Sequence, residues 1–109
     1  MKDNKYIDRI IKYITKINTY MQSVTSFEEF LQNDEKVDAV IFNLEQIGET
    51  AKKLTNETKL VYDTVNWPSI IGLRNMISHE YEGIKIEIIY DIVHNSLSVL
   101  LTSLNEFDK

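Results

Sequence analysis

Apolar residues recur at intervals of three and four along most of the chain, and alternation of period two is not sustained anywhere. That pattern predicts amphipathic helices and an all-α fold. Ile7, Ile10, Ile14, Ile17 and Met21 mark the core face of a first helix, running from Asp3 as N-cap to about Tyr20. "SFEEFL" at 26–31 reads as a short helix with a serine cap and a capping-box Glu29. Asn33 or Asp34 caps a long third helix, whose stripe is Val37, Val40, Ile41, Leu44, Ile47, Ala51 and Leu54. Gly48 sits inside that helix, where glycine costs about 1 kcal/mol relative to alanine. With Ala51 it offers a small-residue surface on which another backbone can pack closely.

Residues 55–67 form a connection with room for one helical turn. Pro68 opens the next helix, with Trp67 held outside it by the proline ring. That helix sends Ile70, Leu73 and Ile77 to the core and stops near Gly83. A last helix, from about Lys85 to Phe107, carries Ile86, Ile89, Val93, Leu97, Leu100 and Leu104. The expected architecture is one domain over residues 1–109, an up-down bundle of four to five helices. Ile11, Ile71, Ile88, Ile92 and Leu101 lie at the margins of their stripes, where a homodimer face would use them.

The length of 109 residues suits a single core. Three glycines and one proline leave few interruptions, which favours long helices. The lack of cysteine excludes disulfides and thiolate metal ligands. No N-terminal apolar signal core is present, and no apolar run approaches the roughly 18 residues of a membrane span. A soluble, cytoplasmic protein is expected. The formal net charge of −5 weighs against a general nucleic-acid binder, but the charge is uneven. Residues 2–20 hold five of the twelve basic residues and only Asp3 and Asp8 as acids. Lys5, Arg9, Lys12 and Lys16 step along the face opposite the isoleucines. They form either the solvated side of an amphipathic helix or, beside a nucleic-acid site, a track for phosphates.

Chemistry-bearing residues concentrate in "LRNMISHEY", 73–81. It holds one of the chain's two arginines, Arg74, and one of its two histidines, His79. Arg74, Ser78 and Tyr81 share a helical sector, and Asn75 and His79 form a neighbouring pair four apart. Arg74 and His79 are separated by roughly 140° around a regular helix. They converge only if the helix loosens after Ser78, or if two copies of it meet across a symmetry axis and each offers its arginine to the other's histidine. Histidine exchanges a proton near neutral pH, and arginine matches phosphate oxygens. Metal-free RNA cleavage needs a base, an acid and a cation for the developing phosphorane charge. Two histidines and two arginines in one cleft meet that demand. A structural role stays open: His79 against the last carbonyls of its helix, and Arg74 in a surface pair with Glu80 or Asp91. His94, on the shoulder of the last stripe, is read as structural. No regular ligand spacing points to a metal, and there is no phosphate-binding glycine loop.

"RNMISHEY" resembles the arginine–four residues–histidine–one residue–tyrosine motif of HEPN-domain proteins of the HepT toxin type. "LEQIGETAKKL" at 44–54 and Trp67 followed by "IIGLRN" resemble two further segments of that family, and the likeness covers roughly residues 35–95. The resemblance implies an all-helical homodimer and a metal-independent endoribonuclease toxin with its site in the dimer cleft. It needs no cofactor, and its RNA is a tRNA or an mRNA. By this resemblance His79 is the acid–base residue and Arg74 the phosphate and transition-state binder. Asn75 and Ser78 position the RNA backbone or these side chains, and Glu49 matches a polar position that could orient Arg74. Tyr81 falls at the position that a partner nucleotidyltransferase antitoxin of the MNT type modifies by transferring AMP. The alternative is a non-catalytic dimeric HEPN module that binds a nucleotide or a nucleotidyltransferase.

Overall fold

The structure, a computed structural model, describes residues 3–80 and 86–106, with residues 78–80 described by their backbone alone. Its elements are α1 (Asn4–Met21), α2 (Phe27–Gln32), α3 (Asp34–Ala51), α4 (Asn56–Val61), α5 (Trp67–Glu80) and α6 (Ile86–Asp91). A π-helical segment, Ile92–Ser96, then leads into α7 (Leu97–Asn105). Among the described residues every regular element is helical. There are two short helices rather than one, and the long last helix is interrupted. The expected ends at Gly83, Lys85 and Phe107 lie outside the described residues. No helix among them is long and apolar enough to cross a membrane.

The central element is α3. It packs against α1 on one side and α5 on another, while α7 rests on α1, and α2 bridges α3 and α6. The predicted stripes form the core: Ile7, Ile10, Ile14 and Ile17 meet Val40, Ile41, Leu44 and Ile47, with Ile77, Ile89, Leu97 and Leu104 closing the bundle. Ile11, Ile71, Ile92 and Leu101 pack against this core as partly buried residues. The exposed apolar side chains are instead Leu60 (75%), Val99 (66%), Phe42 (59%), Leu31 and Ile88. Of the five expected at a dimer face, only Ile88 is thus prominent on the surface.

Capping follows local chemistry with three differences. Ser26 accepts from the Glu29 backbone N–H, but Glu29 Oε2 reaches back to Thr25, at 2.7 Å from its N and 2.6 Å from its Oγ1. The Thr25 bonds hold the Glu29 carboxyl below its ordinary pKa, because they favour the ionised form. Asn33 caps α3 by accepting from Lys36 N. Trp67 lies inside α5, since Asn66 Oδ1 accepts from Ser69 N and so acts as the cap one residue earlier. The Trp67 indole N–H donates to Tyr62 O at 3.1 Å, which anchors this turn in the core.

The third difference is Asp3. Its side chain makes no capping bond to α1. Its Oδ2 instead accepts from Thr55 N (2.8 Å), Thr55 Oγ1 (3.0 Å) and Thr58 Oγ1 (2.8 Å) at the start of α4. With 3% of its surface exposed, the carboxylate ties the N-terminal end of α1 to the connection after α3. Asp3→Ala is expected to cost about 1–3 kcal/mol, because three donors in a buried position lose their acceptor. Urea unfolding of the two proteins measures it, and an unchanged midpoint would remove the structural role.

The break in the last helix has a side-chain accompaniment. Leu97 N donates to Ile92 O, five residues back. His94 Nδ1 lies 2.9 Å from Tyr90 O, so the imidazole supplies a hydrogen-bond partner for that carbonyl. Its ring rests on Tyr90, whose ring in turn contacts Phe27 and Phe30. His94 is exposed, yet its contacts are those of local structure.

Candidate active site on α5

Arg74 is placed by the close approach of α3 and α5. A Cβ at Gly48 would lie 2.9 Å from Arg74 Cβ, 3.0 Å from Arg74 N and 3.2 Å from Ile70 O. Only glycine lets the two backbones meet at this distance. The next residue on α3, Glu49, then reaches the guanidinium, with its Oε1 paired to Arg74 Nε. Of the partners sequence spacing offered for Arg74, Asp91 accepts from Asn95, and the side chain of Glu80 lies outside the described residues. Arg74 and Glu49 are each 38% exposed at the side chain, so the pair adds under about 1 kcal/mol of stability. Its consequence is orientation. Nε is turned to α3, while Nη1 sits 3.5 Å from Asn75 Oδ1, at the limit of a hydrogen bond. Among the described residues the rest of the guanidinium fork has no further hydrogen-bond partner.

The helix continues regularly through Glu80. Loosening after Ser78 is therefore not the route by which position 79 meets Arg74. Position 79 lies seven residues after Gly72 and four after the exposed Asn75, so helical spacing places the three positions in one sector of α5. Gly72 has no atom within 4 Å of an added Cβ. The side chains of Ser78 and His79, and the whole of Tyr81, lie outside the described residues.

Lys5, Arg9, Lys12 and Lys16 are all exposed along α1. Only the first two belong to a cluster. Lys5 Nζ, Arg9 Cζ and Lys53 Nζ stand 5.1, 5.8 and 5.9 Å from the centre of the Tyr6 ring. Periodicity alone singles out neither Lys53 nor Tyr6. The signal that marks Lys53 is its position four residues after Glu49; nothing local marks Tyr6 as the meeting point. Among the described residues no group of three or more histidine, cysteine or acidic side chains is arranged to hold a metal ion.

The described structure is thus an all-helical bundle in which an arginine inside an arginine-to-histidine motif is held by a glutamate from the neighbouring helix. The HepT-like ribonuclease family model matches residues 10–107, and the chain belongs to that family. It is 38% identical to "Putative RNase MJ0127" of Methanocaldococcus jannaschii over 84 residues, covering 77% of this chain and 69% of the relative. It is 32% identical to "Putative RNase TTE0752" of Caldanaerobacter subterraneus over 74% of this chain and 72% of the relative. It is 27% identical to "Probable ribonuclease HepT" of Thermococcus cleftensis over 87% and 86%. No solved structure matches the chain.

Proposed function

We propose that this protein is a metal-independent endoribonuclease toxin whose site is completed by a second copy of the chain. The observation that carries the reading is Arg74, oriented by Glu49 across the Gly48 contact, on the helix that also carries position 79. In the proposed reaction one His79 takes the proton from a ribose 2′-hydroxyl. The 2′-oxygen attacks the adjacent phosphorus, and the bond to the 5′-oxygen breaks. The other His79, as imidazolium, protonates that leaving oxygen. Arg74 stabilises the charge on the phosphorane oxygens. The products are a 2′,3′-cyclic phosphate and a 5′-hydroxyl. Asn75 and Ser78 flank these residues and position the backbone.

Gly72 supports the two-fold arrangement. An interior helical glycine with open space beside it is costly unless something must come close there. A second α5 crossing at Gly72 would bring the two position-79 sectors together, and Arg74, about 160° from Gly72 around the helix, would reach that cleft only along the length of its side chain. Gly72→Leu is expected to convert a dimer to a folded monomer in analytical ultracentrifugation. A dimer of unchanged affinity would place the interface elsewhere.

Tyr81 completes the motif, and we assign it to control. Its phenol oxygen would attack the α-phosphorus of ATP on a nucleotidyltransferase antitoxin, releasing pyrophosphate. The attached AMP would then repel RNA phosphates from the cleft.

The test is cleavage of RNA in EDTA with the product ends identified. Cyclic phosphate ends from the wild type support the reading. No cleavage, with retained binding of a nucleotidyltransferase, would make the protein a non-catalytic HEPN module.

A further inference from the structure

We propose that Lys5, Arg9 and Lys53, gathered around Tyr6, form a subsite that grips the RNA backbone a short distance from the scissile phosphate. This rests on the ribonuclease reading and extends it to a surface outside the motif. Three cations lie within 6 Å of one aromatic ring, in a chain with net charge −5. None of the three has a carboxylate partner among the described residues. Of the two acids on this stretch, Asp3 is turned inward onto Thr55 and Thr58, and Asp8, beside Arg9, is exposed. The ring face attracts each cation, which offsets part of their mutual repulsion. A phosphodiester offsets the rest, and the ring adds a stacking surface for a base.

The position of the cluster links it to Arg74. Lys53 lies two residues past the end of α3 and four after Glu49, the residue that holds Arg74. The strip of α3 leading the other way carries acids rather than cations, exposed Asp38 and partly exposed Glu45. A strand leaving Arg74 is therefore drawn toward the C-terminal end of α3. Contacts of Asp3 with Thr55 and of Lys36 with Ser23 set α1 antiparallel to α3. Lys5 and Arg9 consequently lie at the lysine end, while Lys12 and Lys16 run along the acidic half. The four-residue basic stripe divides into two parts, of which only the first touches RNA.

The test is binding of a fluorescein-labelled single-stranded RNA of about 20 nucleotides, by anisotropy across a salt series. His79→Ala protein is used so that the probe is not cut. Replacing Lys5, Arg9 and Lys53 together by alanine is expected to weaken binding at least about 10-fold. The salt slope should fall by roughly 2, since each single-strand phosphate contact contributes about 0.7. Lys12→Ala with Lys16→Ala should leave the slope nearly unchanged. Tyr6→Phe should bind as its parent does, and Tyr6→Leu about 5-fold or more weakly. All the replaced basic side chains are exposed, and thermal melts check that each variant is folded. Equal losses from the two lysine sets, no loss from the triple variant, or no binding by the parent would each overturn the subsite. Failure of the nuclease reading looks different: subsite-dependent binding by a wild type that cuts nothing. Normal cutting with a KM indifferent to the triple variant would sink the subsite alone.

Discussion

His79→Ala is expected to lower the rate of RNA cleavage by about 10²–10⁴-fold, the range associated with losing a positioned acid–base group. Arg74→Ala is expected to lower it by about 10²–10³-fold, as removal of one donor to a developing oxyanion does. The two losses have different signatures. Wild-type activity should rise and fall with pH, because the proposed reaction needs one neutral imidazole and one protonated imidazole from a second copy. His79→Ala should remove that dependence from the residual rate, whereas Arg74→Ala should keep its shape at reduced height. Arg74→Lys retains the charge but has no Nε to pair with Glu49 and no planar fork. It should recover only part of the activity. Mixing His79→Ala with wild-type subunits gives a further check, since a reaction that uses both imidazoles should fail in the mixed dimer. Cleavage by both single variants at the wild-type rate would end the catalytic assignment.

Gly48→Leu is expected to destabilise the protein by about 3 kcal/mol, at the upper end of ordinary over-packing. The reason lies in which atoms are met. At 2.9–3.2 Å an added Cβ strikes the α5 backbone and Arg74 Cβ, and none of these is the far end of a flexible side chain. The helices must separate. Gly48→Ala should also destabilise, by about 1 kcal/mol, although alanine is the better helix former by about that amount. The same exchange at Gly72, where nothing lies within 4 Å, should instead raise the stability of the monomer. Thermal melts separate the three, at about 4–8 °C per kcal/mol for a domain of this size. Separation of α3 from α5 also moves Arg74 away from Glu49, so Gly48→Ala should reduce cleavage even where most molecules are folded. A Gly48→Leu protein that melts and cuts as the wild type does would refute the close-packing account.

The core was legible because it is written in local periodicity. Ile7, Ile10, Ile14 and Ile17 repeat at helical spacing, and all four are buried. The π-helical segment was not legible, because the stripe from Ile89 to Leu104 keeps its spacing across it. The last helix looks continuous in sequence, and the Tyr90–His94 contacts that accompany the break depend on where Phe27 and Phe30 sit. Asp3 misled for a similar reason. A helix N-cap and a long-range acceptor have the same local sequence, and only the position of Thr55 and Thr58 distinguishes them.

By itself, the sequence determined the helical class, the buried stripes and the arginine-to-histidine motif, since each depends on residues within a few turns of one another. Tertiary structure decided which acid holds Arg74, why position 48 must lack a side chain, and which half of the basic stripe joins Lys53 at Tyr6. Those outcomes depend on distances between separate helices. Helical spacing fixes the face on which a residue lies but leaves open which neighbour that face will meet.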